Sequence, residues 1–393
     1  MDYLSKFDLF DESLITRESW DKFKEMRDAR VVRSEMHGGY WILSRYADTV
    51  DAFRDWKRLS SARGVAIPNM WEQNPSIPIE CDPPEHPEYR SMLTAAFSPG
   101  SVRHWEGEIR SICDNLIDGF ESRGEVDLGL EYAMPMPMTV LCRMLGVPES
   151  DGSRFCEWVH GALHSGGDMD AAFTSAGRIH TYFGELVDAA RGGAQQMPEG
   201  SLIRILLDGQ AGSRTLSRAE VMDYCLLLVV AGVDTVTAML GNFFAFAIDN
   251  PSLQEQLIAN PDKTPRAVEE GLRLFGPVQA MARKVNTRYV VEGCHFDHDA
   301  AVMLLMPAAN RDEREFPDAD TFLLDRAPNR HLAFGAGIHR CLGSTLARTQ
   351  LRIAINQLLG RVGQLRAGPG SRQRRIGNVR YYHSVPAAFG PPR

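Results

Sequence analysis

The chain has 393 residues, 44% hydrophobic and 24% charged, an ordinary globular composition with enough apolar material for one large core or two average domains. A formal net charge of −8 argues against a general nucleic-acid binder. Seven scattered cysteines, odd in number and without a C-x-x-C pair, argue against a disulfide framework or a zinc knuckle and for a reducing cytoplasm.

The acidic start, MDYLSKFDLFDES, lacks the basic-then-apolar order of a secretory signal. RESWDKFKEMRDA follows as an amphipathic helix, and WILSRYADTVDAFRDW passes from a short strand over residues 40–43 into a second helix. Residues 62–87 are crowded with Pro and Gly, which forbids a long helix and predicts an irregular binding loop. Helical spacing returns over 88–120, broken by FSPGS, and MPMPMTVLCRMLGVP predicts an apolar helix ending at Gly146. Two further helices are expected around a glycine-rich joint at 165–168.

Residues 225–248, CLLLVVAGVDTVTAMLGNFFAFAI, are long enough to cross a bilayer. Asp234 and Thr235 fall mid-segment, however, where a charge costs about 2.5–3.5 kcal/mol on insertion scales. The segment is expected to be an interrupted core helix, with no membrane span. Strands are expected in RYVVEGCHF, AAVMLLMP and NVRYYHSVPAAF. With neither internal repeat nor low-complexity linker, residues 1–393 predict a single domain, mainly α with a small β portion.

The stretch HLAFGAGIHRCLG frames Cys341 with Gly335, Gly337 and Gly343, just before a helix-like run at 342–359. A helix start offers free N–H groups and partial positive charge to a thiolate. The glycines allow the backbone to approach a bulky partner. One cysteine means one protein ligand, which suits haem and not an iron–sulfur cluster. A small buried cysteine, or a nucleophile paired with His339, remain alternatives. On the long helix, Ala231 and Gly232 cut a notch in an apolar wall. The Thr235 hydroxyl, four residues after Ala231, is placed to compete for that carbonyl and widen the turn. Asp234 beside it could relay protons; alternatively Asp234 pairs with an arginine and Thr235 only back-bonds.

Phe334, Gly337, Cys341 and Gly343 match F-x-x-G-x-x-x-C-x-G. EEGLR carries Glu270 and Arg273 of an E-x-x-R helix, FPDADTFLLDR supplies Arg326, and AGVDT covers 231–235. In that order and over residues 82–393, the chain resembles the cytochrome P-450 family, of the soluble bacterial type. The departure from the family's common pattern is small: Ala319 in PDADTF stands where proline or another residue often does.

The resemblance implies the cytochrome P-450 fold, with haem b between the long central helix and the cysteine-loop helix. It makes Cys341 the iron ligand and Glu270, Arg273 and Arg326 a buried ion network. His86, Arg90, Arg283 and His339 would hold the propionates, and Ala231, Gly232, Phe334, Gly335, Gly337 and Gly343 would line the cofactor. Thr235 would orient oxygen while Asp234 delivers protons. Pocket walls would come from 65–79, 158–183, the long helix, 278–282 and 378–379. Ile67, Met70, Trp71, Leu227, Val230, Val278, Met281 and Val379 form the apolar lining, and Asn69, Gln279 or Asn378 would give one hydrogen bond.

The implied activity is insertion of one oxygen atom from O2 into a C–H bond of a small or medium hydrophobic substrate: terpenoid, aromatic or steroid-like. Only residues 342–393 follow the thiolate loop, too few for a flavin or iron–sulfur module. Electrons are therefore expected from a separate ferredoxin and its reductase, with NAD(P)H acting only through them and Arg340, Arg348 and Arg352 as docking residues. A monomer is expected. A substrate held on a carrier protein, or a non-catalytic haem sensor, are the alternatives.

Overall fold

The computed structural model describes residues 2–11, 19–69, 76–163 and 169–390. Six helices bear on function: α1 (Tyr46–Arg54), α2 (Glu85–Thr94), α3 (Gly152–Leu163), α4 (Arg218–Asp249), α5 (Thr264–Phe275) and α6 (Ser344–Val362). The chain forms two compact units, one of Met1–Pro87, Glu269–Cys341 and Ile376–Arg380, the other of Glu88–Val268, Leu342–Arg375 and Tyr381–Arg393.

The first unit is built on strands β1 (Val31–Ser34), β2 (Tyr40–Leu43), β3 (Leu59–Ser60), β4 (Ala280–Val285), β5 (Tyr289–Val291), β6 (Cys294–Phe296) and β7 (Ala301–Leu305). Five of these make one sheet in the order β1-β2-β7-β4-β3, in which β7 runs parallel to β2 and antiparallel to β4. Val302 and Leu304 join Phe53 and Leu59 in one apolar cluster, while Met303 and Leu305 join Phe7, Phe23 and Met26 in another. Both faces of β7 are thus covered, which is why AAVMLL reads as an unbroken apolar run instead of an alternation. The β5–β6 hairpin turns on Glu292 and Gly293, both with positive φ, as a tight two-residue hairpin requires.

The ion network closes in this unit. Arg273 reaches Glu270 at 2.8 and 2.9 Å, and Arg326 reaches Glu270 at 3.0 Å. The remaining guanidinium donors of Arg273 go to the carbonyls of Asn310, Ala319 and Thr321. Glu270 also accepts from the Leu323 amide and Asn329. Burial pushes the Glu270 carboxyl up, but the bonds from Arg273, the Leu323 amide and Arg326 hold it below the usual range. Ala319 contributes only its carbonyl, so the departure from proline costs this network nothing.

In the second unit α4 packs against α3, Met169–Arg191, Pro135–Leu145 and α6. Ser217 and Glu220 form a reciprocal capping box at its start. At 32 residues it spans about 48 Å. It is long and apolar enough to cross a membrane, yet 61% of its most apolar window is buried inside the protein, as a core helix would be. Gly241 is obligatory: a methyl there would overlap the carbonyl of Tyr382, where strand Tyr381–Ser384 lies against the helix. The helix Pro135–Leu145 ends as expected, with Gly146 in the left-handed conformation.

Some boundaries differ from the sequence reading. The long helix is not interrupted; α4 is regular from Arg218 to Asp249. The helix expected at 88 starts at Glu85, because Pro87 is tolerated in a first turn. The helix after Cys341 starts at Ser344, not at 342. The joint at 165–168, Met70 and Trp71 lie outside the described residues.

Candidate active site

The cysteine loop is shaped by backbone conformation before chemistry. Gly335 and Gly337 have φ of +63° and +71°, the left-handed region that side chains disfavour. A methyl on Gly337 would also overlap the Phe53 carbonyl at the end of α1. These two glycines therefore serve the loop's own turn and its packing on α1, a reason the sequence reading did not give. Gly343 differs, since a methyl there meets nothing within 4 Å. The Cys341 amide donates to the Phe334 carbonyl at 2.9 Å, closing the loop.

Cys341 is the one exposed cysteine of the seven, although cysteine is among the most buried residue types. Burial pushes the thiols of Cys113 and Cys156 up to about 11 and Cys142 to about 12, so these are inert neutral thiols. Among the described residues no group of three or more His, Cys, Asp or Glu could hold a metal ion. A single presented sulfur suits a metal that brings its own macrocycle, as haem does.

Nearby in the same unit is a basic cluster. The rings of His86 and His339 lie 4.4 Å apart, and His339 Nε2 is 2.7 Å from Ser61 Oγ. Asp82 accepts from Ser60 and Ser61. Burial raises its carboxyl, and hydrogen bonds from His339, Ser60 and the Ser61 amide more than offset this, leaving it below the usual range. Arg283 is only 2% exposed and donates to the Ala282 carbonyl at 2.7 Å, its guanidinium lying over the Phe53 ring. Burial lowers its pKa to about 10. Among the described residues no carboxylate lies within ion-pair distance of it. A buried cation is costly without an anion, so this donor set fits carboxylates such as haem propionates. Arg90 follows His86 by one turn of α2.

On α4, Thr235 Oγ1 donates to the Ala231 carbonyl at 2.9 Å. The bond expected from the spacing is present, but the turn stays closed. Leu227, Val230, Ala231, Gly232 and Thr235 are partly or fully exposed on the helix, and spacing by three and four places Leu227, Val230, Ala231 and Thr235 on one face. Asp234, one residue before Thr235, is turned by about 100° and is 6% exposed. Tyr381 donates to it at 3.2 Å. Tyr381 is therefore one partner of Asp234; the alternating pattern of strand 381–384 was the only sequence signal for it.

The substrate candidates divide. Val278 and Val379 pair in an isolated bridge, Val278 and Met281 pack on one core cluster, and Ile67 packs on the other. Gln279 is spent on the carbonyls of Gly276 and Pro277, and Asn378 gives its carbonyl to the Gln279 amide. Asn69 reaches the Arg63 carbonyl at 3.4 Å. Of the docking arginines, Arg340 is exposed, Arg348 is half-buried, and Arg352 pairs with Glu106 at 2.9 Å.

The family profile named Cytochrome P450 matches residues 168–362. Mycinamicin IV hydroxylase/epoxidase from Micromonospora griseorubida is 32% identical over 341 residues, covering 84% of this chain and 83% of that protein. The structure of CYP109E1 from Bacillus megaterium in complex with testosterone superimposes with a TM-score of 0.87 at 26% identity, over 95% of this chain and 98% of that one. P450BioI in complex with an acyl carrier protein ligated with hexadec-9Z-enoic acid gives 0.85 at 27% identity, over 95% and 98%. The chain belongs to the cytochrome P450 family, haem-dependent monooxygenases that use O2 and electrons from redox partners.

Proposed function

We propose that this monooxygenase hydroxylates a C–H bond of a small or medium hydrophobic molecule, terpenoid, aromatic or steroid-like, as a monomer in the cytoplasm with electrons from a ferredoxin and its reductase. The observation that carries the reading is the exposed Cys341 thiol on its left-handed glycine loop, in the same unit as a buried arginine with no carboxylate at ion-pair distance among the described residues. Cys341 would hold the iron, and His86, Arg90, Arg283 and His339 would hold the propionates. Oxygen activation and C–H hydroxylation are the chemistry that haem supplies when bound. The protein's own contributions are three. The Leu227, Val230, Ala231 face of α4 offers apolar surface to the substrate and excludes water. The Thr235 hydroxyl, kept near the Ala231 carbonyl, orients oxygen and water. Asp234 carries protons inward.

The test is an absorbance titration of the ferric protein with terpenes, aromatics and steroids. A saturable blue shift of the Soret band with one class is the expected result. A folded, haem-reconstituted sample without a Soret band sinks the reading. A carrier-bound substrate is the second reading, supported by the likeness to the carrier-bound P450BioI. It predicts that free ligands leave the band in place while an acyl carrier-protein thioester moves it.

A further inference from the structure

Asp234 does not share the exposed face of α4 with Thr235. It faces a separate cavity of about 70 Å³ inside the second unit, bordered by Leu130, His160, Thr237, Arg375 and Tyr381 among others. Liquid water occupies roughly 30 Å³ per molecule, so this volume suits about two waters.

Two polar atoms on the wall call for them. The Thr237 hydroxyl and Arg375 Nε are buried, and neither meets a hydrogen-bond partner among the described residues; Thr237 is 5% exposed. Buried polar groups are almost always satisfied, by protein or by ordered water. The cavity is not sealed. Leu130 is 48% exposed on its rim, and His160, on α3, is half-buried. Tyr381 is buried, and its phenol is pushed far above the ordinary range by that burial and by the Asp234 charge. It therefore remains a proton donor to Asp234 and fixes one carboxylate oxygen.

We propose that this cavity is a hydrated antechamber through which protons reach Asp234, and that Tyr381 is the positioning residue that holds Asp234 at its inner end. The proposal rests on the monooxygenase reading above. A proton passes from cavity water to the Asp234 carboxylate and is replaced from bulk solvent past Leu130 and His160. Reduction of O2 to one water and one inserted oxygen atom consumes two protons and two electrons per turnover. The redox partner supplies the electrons, and the antechamber supplies the protons.

Three variants test this in the haem-loaded, full-length protein. Thr237→Val removes the orphaned hydroxyl at constant shape. If water satisfies that hydroxyl, the melting temperature falls; if the cavity is dry, removing an unsatisfied polar group raises it. Tyr381→Phe and the cavity-filling Thr237→Leu should leave the substrate-induced Soret shift and its Kd unchanged. They should lower product formed per NAD(P)H at least threefold and raise the solvent deuterium isotope effect at least twofold. A residue that only supports the fold would not move the isotope effect. Tyr381→Phe alone decides the point should Thr237→Leu fail to fold.

A rise in melting temperature for Thr237→Val, or an unchanged yield and isotope effect for Tyr381→Phe, overturns the proposal. A wild-type protein without haem or turnover instead overturns the underlying reading, so the two failures are distinguishable.

Discussion

A single residue, Arg283, shows how the site differs from ordinary packing. Its guanidinium is buried on β4 with a carbonyl and an aromatic ring for company. An uncompensated buried charge destabilises a fold, and replacing such groups with apolar ones of similar volume is often stabilising by about 1–4 kcal/mol. Arg283→Met is therefore expected to act with opposite signs in two states. Apoprotein should melt at a higher temperature, whereas the haem-loaded protein should lose its cofactor faster. A tenfold faster transfer of haem to an acceptor protein corresponds to about 1.4 kcal/mol. Calorimetry of the apoprotein and a haem-transfer assay together check this. A lower apoprotein melting temperature with unchanged haem transfer would make Arg283 a plain structural residue. The same contrast explains the glycines. Their spacing around Cys341 was readable, but only coordinates separate Gly337, pressed against Phe53, from Gly343, which opens on space.

At the scale of elements, α5 and α4 respond differently to sequence reading. E-x-x-R places Glu270 and Arg273 one turn apart, and the helix makes their pairing unavoidable. Arg326 comes from 53 residues beyond Arg273, and only the resemblance picked it out. Glu270→Gln breaks a fully buried pair and leaves two arginines short of an anion, so a loss of about 3–5 kcal/mol is expected at neutral pH. The folded-state pKa of Glu270 lies below its unfolded value. Its stabilisation is therefore complete above the ordinary carboxylate range, near about 4.3, and drains away as pH falls through the lower folded value. Denaturant midpoints measured from pH 7 to pH 3 should fall more steeply in the wild type than in the variant; parallel curves would exclude this role. In α4 the AGVDT notch was readable as a place where a helix might widen. It does not widen, because a threonine hydroxyl can share the carbonyl at i−4 while the backbone bond is kept. That sharing is a matter of geometry, and no spacing rule decides it. Tyr381, which pairs with Asp234 from 147 residues away, is the kind of contact that a periodicity reading misses altogether.

For the whole molecule, the net charge of −8 sets the terms on which a redox partner approaches. An acidic ferredoxin is repelled by the molecule at long range and attracted only where local cations outweigh that field. Within the Debye length, about 8 Å at physiological salt, nearby arginines dominate over distant carboxylates. Arg340, exposed beside Cys341 in sequence, is placed for such a role. Arg352 is already engaged by Glu106, which removes most of its charge from the approach. Sequence counted the two as equals, because ion pairing across the fold cannot be read from a charge pattern. With a ferredoxin donor, the rate of first-electron reduction should fall as ionic strength rises from about 0.05 to 0.5 M, the sign expected when local attraction outweighs global repulsion. Arg340→Gln should slow reduction at low salt by about three- to tenfold and flatten the salt dependence, while Arg352→Gln changes it less than twofold. Stopped-flow reduction under carbon monoxide measures all three rates. A rate that rises with salt in the wild type would show that the overall negative field governs the encounter and that the arginines do not form the docking patch.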